Sequence, residues 1–573
     1  MYPIIASALL CRMSSLRNLL FLPVSSATPR KGYCPLLSSD SITALSSGFV
    51  ERRPRTRPYT DQEIALESPL PEESSSFRRS RPDALLLLLI VVLCGAFLRI
   101  TLLSHEALEG DEIFSLHVVL MPPLQELAAI RADLVHPPLY YFLLQATAKI
   151  WGASAYGIRV LSLLCGILSI PLVWLIGRGL PGQRVTALLA AALLALNQSH
   201  IFYSQEARSY AWYTLLTMAF VLWMIRITAT PERIVTIGDW VAAALLMILL
   251  VYTHYVGAIY VASAVLAVLL ARTSRGQKVG VFLCALFAAL TFLPWLAAIA
   301  GVYHQKQGVG ENLDWQGHPD LYALKQVLAS SLGIPSFHGS TTLVLLVIAL
   351  LGLAAILLTP RHIANSPAPV ILLCLGILPP VIVFILSRPP INLPLFGLRH
   401  FLPSIPCMIL LCSYGLDRLA QKAMTYRAAA TAFGAVVLLL IAAVPTMQNL
   451  RSRPSRIPYD VVSHAVMLDH AEGMPAYATW FYGVGEPVNF YCATQCVNPL
   501  PEADAALPSK FVLLFRPRSS SDTQRLEQLQ HEGFSEIQQQ YYTDGGHSIY
   551  GTTLAVLQRS QPENSTGVAT AGH

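Results

Sequence analysis

From Ala84 to about Pro445 the chain alternates apolar stretches, mostly of 16 to 22 residues, with short polar breaks. A helix rises about 1.5 Å per residue, so stretches of this length match the roughly 30 Å apolar core of a bilayer. The pattern predicts eleven crossings, near 84–104, 157–177, 185–203, 209–228, 238–253, 256–271, 279–300, 341–359, 369–387, 400–416 and 428–446. The run 238–271 is too long for one span and divides at Thr253-His254-Tyr255. Pro137–Trp151 is shorter and opens on two prolines, which suits an interfacial or re-entrant helix better than a crossing.

Two blocks lie outside this pattern. Residues 1–83 are rich in Ser, Pro and Arg and lack a sustained apolar period. They read as a disordered cytoplasmic tail or an over-extended start, with a faint likeness to a transit peptide in Arg12, Arg17, Arg30 and Lys31. After Pro445 the hydropathy collapses, and strand-like runs (Phe511–Phe515, Ser548–Leu557) alternate with a helical one (Thr523–Glu532). The expected fold class is an all-α polytopic membrane protein with a small outer-face α/β domain at its C-terminal end. The expected divisions are 1–83, 84–446 and 447–573.

Composition strengthens the case for lipid as solvent. Of 573 residues, 54% are hydrophobic and 13% charged, and mean hydropathy is +0.52; soluble domains carry about 25% charge. A soluble enzyme, a nucleic-acid binder, a disordered scaffold and a disulfide-stapled secreted domain are excluded. The net charge of +6 points to no acidic partner, because Lys and Arg collect on the cytoplasmic side for topological reasons. With the N-terminus inside and 137–151 not crossing, Arg178/Arg184, Arg226/Arg233, Arg272/Arg275/Lys278, Arg361 and Arg418/Lys422/Arg427 all fall inside. The C-terminal domain is then extracytoplasmic, where a Cys492–Cys496 disulfide is allowed but not required. No cysteine spacing suggests zinc.

Polar residues on the opposite side become the informative ones. They include Glu109-Gly110-Asp111-Glu112, His136-Pro137-Pro138-Leu139-Tyr140-Tyr141, Tyr203 to Tyr210 with Glu206 and Arg208, Thr253-His254-Tyr255, the loop 301–340 with His304, Lys306, Asp314 and His318, and Ser387–Phe401 with Arg388, Arg399 and His400. Taken singly, paired acids at a membrane surface are solvated loop charges, a lone His is an interfacial hydrogen-bonder, and an Arg at a span end is a snorkelling anchor. Their convergence on one face, with Arg159, Arg208, Arg388 and Arg399 against the positive-inside trend, calls for an anionic ligand.

Five of these motifs in order, Gly110-Asp111-Glu112, His136 to Tyr141, Ser204 to Tyr210, Thr253-His254-Tyr255 and Arg399-His400-Phe401-Leu402-Pro403, resemble the GT-C glycosyltransferases. The likeness spans about 84–420 and is strongest to the branch that groups the protein mannosyltransferases of glycosyltransferase family 39 with lipid A aminoarabinose transferases and related bacterial enzymes. The compact first outer loop departs from eukaryotic protein mannosyltransferases. The resemblance implies a sugar donor carried on a polyprenyl phosphate and inverting transfer to a hydroxyl of a lipid, glycan or protein. Inversion needs one base to take the acceptor proton; that role goes to Asp111, with Glu112 as its neighbour and modulator. Cations must meet the charge on the departing phosphate; Arg208 and Arg399 lead, with His400 and Arg159 behind them. His136, Tyr140, Glu206, His254 and Tyr255 remain to orient sugar or acceptor. No cofactor and no obligatory metal are expected, since two adjacent acids lack a third ligand. A transporter or flippase of lipid-linked sugars is the alternative, disfavoured because no internal repeat and few mid-membrane charges are evident; an O-antigen ligase or polymerase would lack the early Asp-Glu loop.

Overall fold

The computed structural model describes residues 82–101, 103, 107–180, 184–305, 319–330, 347, 350–352, 367–393, 395–422, 427–452, 457–492, 494–501, 507–516, 520–542 and 552–559. The expected tail up to Arg81, most of the span expected at 341–359, and Lys306, Asp314 and His318 lie outside these residues, as does the His304 side chain. The described residues all belong to one unit, Ser74–His573.

The helices follow the apolar pattern. In chain order they are α1 Pro82–Ile100, α2 Gly110–Val119, α3 Pro123–Asp133, α4 Leu139–Trp151, α5 Ala155–Gly179, α6 Arg184–Leu196, α7 Gln198–Ser204, α8 Tyr210–Ile227, α9 Ile237–Thr253, α10 Gly257–Leu270, α11 Arg275–Gln305, α12 Leu321–Ala329, α13 Ala368–Leu386, α14 Ser404–Lys422 and α15 Arg427–Ser452. Among the described residues five (within α1, α5, α8, α11 and α13) are long and apolar enough to cross a membrane, and a sixth if α6 and α7 form one span. Their outward faces are greasy: Leu86 and Phe97 on α1 are 59% and 66% exposed, an arrangement that lipid stabilises and water does not. The chain is thus a multi-pass membrane protein in architecture. Helix α4 has 13 residues, or about 20 Å, short of the core thickness.

The span expected at 185–203 is broken. Helices α6 and α7 meet at 60°, with Asn197 between them, its side chain accepting from the His200 amide at 2.9 Å as an N-cap for α7. Arg99, fully buried on α1, fills the break. It donates to the carbonyls of Ala195 (3.0 Å) and Leu194 (3.1 Å) and to His200 Nδ1 (2.8 Å), so a cation satisfies the orphaned carbonyls at the end of α6. A Cβ on Gly166 of α5 would collide with the Ser204 side chain; glycine lets α5 seat directly against α7.

Helix α16 (Tyr459–Ala471), β1 (Ala476–Ala478), α17 (Glu486–Cys492), β2 (Val497–Pro499), β3 (Lys510–Phe515), α18 (Ser520–His531), β4 (Phe534–Tyr542) and β5 (Thr552–Arg559) form the C-terminal domain. Its sheet runs β2-β1-β3-β5-β4, with β1 parallel to β2 and β3 and the β3–β5 and β5–β4 pairs antiparallel. Val512 and Leu514 face α16 and α17, while Phe511, Leu513 and Phe515 face α18. Burial on both faces explains why Phe511–Phe515 reads as an unbroken apolar run. Cys492 and Cys496 are joined by a disulfide. The domain touches the rest of the chain where the Leu108 amide donates to Tyr491 Oη at 2.6 Å.

Candidate functional site

Helix α2 starts at Gly110, which places Asp111 and Glu112 in its first turn, where the helix dipole favours carboxylates. Successive helical residues point about 100° apart, so the two acids have different surroundings. Glu112 is fully buried. Its Oε1 accepts from Arg159 Nε (2.8 Å) and the Ala207 amide (2.8 Å), and its Oε2 from Arg159 Nη2 (2.6 Å) and the Glu109 amide (3.3 Å). The rest of the Arg159 guanidinium donates to the carbonyls of Leu103 (2.9 Å) and Ala107 (3.1 Å). Arg159, expected from the sequence at the phosphate, is 1% exposed and is placed on Glu112 and two carbonyls, away from the open acid. Glu112, in turn, ties α2, α5 and the 205–208 segment together, and influences Asp111 as a neighbouring charge.

Asp111 is the open acid, with 44% of its side chain exposed. Arg399, on the single helical turn Leu398–Phe401, donates from Nη1 to Asp111 Oδ2 at 3.2 Å. Arg208 Nε stands 3.9 Å from the same oxygen. The crowded surroundings push the Asp111 carboxyl upward, but Arg208 and then Arg399 outweigh them, and it sits below the usual aspartate range, with Glu112 pulling weakly the other way. Against the effect of burial, Asp111 holds Arg208 above the ordinary arginine value, and Tyr210 and then Asp111 do the same for Arg399.

Both terminal nitrogens of Arg208 are oriented by acceptors, while its Nε faces Asp111 at 3.9 Å. Its Nη1 reaches the Asp111 carbonyl (3.1 Å), Ser115 Oγ (3.3 Å) and Tyr141 Oη (3.2 Å), and its Nη2 lies 3.1 Å from His136 Nδ1. Behind it stand His254 and His400, with Tyr210 within 6.3 Å of both rings and Tyr213 stacked on His254. Burial, reinforced by the nearby cations, drives the His136 and His254 rings well below the usual histidine value, and that of His400 to about 3.

The structure therefore brings together Asp111, Arg208, Arg399, His136, His254 and His400. Glu206 is buried beside them and adds its charge to the field at Arg399. Two expected residues are placed otherwise. Tyr140 is 1% exposed and packs edge-on to Tyr141; it is Tyr141 that meets Arg208. Tyr255 accepts from Trp295 Nε1 at 3.3 Å and leans on Phe292, both on α11. Arg388, also noted from the sequence, donates to the Pro319 carbonyl at 2.8 Å. Tyr141 and Tyr210 lie within the sequence motifs without an assigned role, and Ser115 lies outside them. Ser115 stands one turn from Asp111 on the same helical face, a signal the sequence did contain. Among the described residues no group of three or more His, Cys, Asp or Glu side chains is placed to hold a metal.

Residues 135–297 match the family model described as "Dolichyl-phosphate-mannose-protein mannosyltransferase". No curated protein sequence matches the chain. Among solved structures, ArnT from Cupriavidus metallidurans bound to undecaprenyl phosphate is similar at 12% identity and a TM-score of 0.47, covering 83% of this chain and 98% of that one. The oligosaccharyltransferase AglB from Archaeoglobus fulgidus, in complex with an inhibitory peptide and a dolichol-phosphate, is similar at 15% identity and a TM-score of 0.47, covering 73% and 64%. The family-model match takes in His136, Arg208 and His254; Asp111 and Arg399 lie outside it on either side in the sequence.

Proposed function

We propose that this chain is an integral-membrane glycosyltransferase that moves a sugar from a polyprenyl-phosphate donor to a hydroxyl of a lipid, glycan or protein on the outer face of the cell membrane. The observation that carries the reading is the meeting of Asp111 with Arg399 at 3.2 Å and Arg208 at 3.9 Å. One exposed carboxylate and two cations share a single place. In the reaction the acceptor oxygen attacks the anomeric carbon, the bond from that carbon to the phosphate oxygen breaks with inversion, and the acceptor proton passes to Asp111. The charge left on the lipid phosphate falls to Arg399 and Arg208, which are already oriented and need little reorganisation. The family-model match over 135–297 supports a lipid-linked donor. The reading includes no metal: two guanidiniums supply the positive charge. The topology it requires has the N-terminus in the cytoplasm and the C-terminal domain outside.

The test is to incubate membranes containing the chain with radiolabelled polyprenyl-phosphate sugars and follow the label. Transfer to an extracted lipid, glycan or protein, lost in Asp111→Asn, is the expected result. Label that crosses the bilayer while still on its lipid carrier would sink the proposal in favour of a flippase.

A further inference from the structure

Three imidazoles lie beside the arginine pair. The ring centroids are 5.4 Å apart for His136 and His254 and 5.1 Å for His254 and His400, and none of the three residues is more than 3% exposed. In each ring Nδ1 already has a partner, and the partner decides the tautomer. Arginine only donates, so His136 Nδ1, 3.1 Å from Arg208 Nη2, must accept. A doubly protonated ring has no lone pair to offer; His136 is therefore neutral, with its proton on Nε2. The Val256 amide donates to His254 Nδ1 at 3.1 Å, which fixes the same tautomer there. His400 is the reverse. Its Nδ1 faces the Leu395 carbonyl, which only accepts, so Nδ1 carries the proton; burial beside Arg399 disfavours a second proton, which leaves the lone pair on Nε2. Meanwhile Nε2 of His136 and Nε2 of His254 are buried with no hydrogen-bond partner in the protein. Buried polar atoms left open at a site are costly, and a ligand that completes them offsets that cost.

We infer that His254 and His400 together read one hydroxyl of an uncharged donor sugar, with His254 Nε2–H donating to its oxygen and His400 Nε2 accepting its hydrogen, while His136 Nε2–H serves a neighbouring sugar oxygen. This rests on the donor being a lipid-linked sugar. The pair demands a group that accepts and donates at once. A hydroxyl does both. An ammonium only donates, and would face the His254 N–H proton to proton. A carboxylate or phosphate oxygen only accepts, and would face the His400 lone pair. Tyr213 stacks on His254 at 5.1 Å and 14°, which resists a ring flip that would exchange the two nitrogens. The subsite thus selects neutral sugars over amino and acidic ones, and buried groups left unpaired are the strongest form of such selection.

The test uses the full chain in lipid nanodiscs with ¹⁵N-labelled histidine and three polyprenyl-phosphate donors: a hexose, its monodeoxy analogues and the matching amino sugars. Nitrogen spectra, assigned by single His→Gln variants, should show Nε2 protonated in His136 and His254 and Nδ1 protonated in His400. The hexose donor should move the His254 and His400 signals, and one deoxy analogue and its amino counterpart should fail to. Transfer of that amino sugar should be slower by about 10²-fold or more, and His254→Ala should narrow the gap between hexose and deoxy donors. An imidazolium or the opposite tautomer at His254 or His400 would overturn the inference without any turnover measurement. So would equal transfer of neutral and amino sugars, which leaves the proposed activity standing. Histidine signals that respond to the hexose donor with no transfer of any sugar would instead remove the proposed activity and keep the subsite.

Discussion

Arg159 and Glu112 meet at 2.6 Å with neither side chain more than 1% exposed, although the sequence presents both as candidates for work on substrate. A buried ion pair braced by further hydrogen bonds on both partners has the character of a scaffold. Removing one partner leaves a bare charge in the interior, which costs about 3–5 kcal/mol. Arg159→Ala should therefore lower the melting temperature in detergent sharply and lose activity in parallel, and Glu112→Gln should do the same more mildly. A variant of Arg159 that keeps its melting temperature and raises only the donor KM would return this arginine to the phosphate site.

Asp111→Asn should behave in the opposite way. The side chain is 44% exposed and its replacement keeps the shape, so the melting temperature should hold while turnover drops by about 10²–10⁴-fold, the usual worth of a positioned base. Donor binding should be kept or tightened, because the arginines lose the anion that competes with phosphate. Comparing single-turnover rates with donor affinity checks both halves; unchanged turnover would exclude Asp111 as base.

The pH profile has a sign that follows from the arginines. They hold the Asp111 carboxyl below its usual range in the empty site, so the group stays ionised as pH falls past the ordinary aspartate value of about 3.9. The acid limb of kcat/KM, which reports the free enzyme, should lie below that point. Once a donor phosphate occupies Arg399 and Arg208, part of that support is withdrawn from Asp111. The acid limb of kcat should then lie at higher pH than that of kcat/KM. Coincident or reversed limbs would show that donor and carboxylate do not share the cations.

Arg399 and Arg208 should separate in mutant kinetics. Arg399 meets Asp111 from a short turn with 21% of its side chain exposed, whereas Arg208 is 4% exposed and binds Ser115, Tyr141 and His136. Arg399→Ala should raise the donor KM more than the acceptor KM with little loss of melting temperature. Arg208→Ala should impair both kinetics and folding, and Arg208→Lys should rescue little, since an ammonium cannot span acceptors placed for a planar fork. Equal donor and acceptor effects in Arg399→Ala would move the phosphate site elsewhere.

Much of the fold was legible because lipid imposes a simple rule on helix length. Helices α1, α5 and α8 to α11 fall where apolar runs of the right size stand in the sequence. What that rule does not encode is where a run breaks: Asn197 sits inside an apolar stretch, and its role as a cap shows only when His200 folds back to it. Strand β4 was missed for a related reason. Residues 535–541 are mostly exposed, edge-strand positions rich in Gln, so no buried alternation marks them. At the site, side was readable and partner was not. Arg159, Arg208 and Arg399 look alike in an outer loop or at a span end, and the difference between them lies in which carboxylate is buried against which guanidinium. The Tyr140-Tyr141 pair makes the same point, since adjacent helical residues point about 100° apart and the sequence does not say which one turns toward Arg208.

Arg99 sets a timetable for biogenesis. Helix α1 carries this cation, yet its acceptors at Leu194, Ala195 and His200 are translated about a hundred residues later. Until they arrive, the guanidinium, next to last on its helix, has only the Gly95 carbonyl one turn back and must otherwise reach for water at the membrane boundary. The guanidinium exchanges water for protein acceptors only when the bent pair α6–α7 packs against α1. Closing this end of α1 is therefore a joint event of α1 and the broken helix, and in chains truncated before Leu194 the Arg99 side chain should be more open to water than in the full chain.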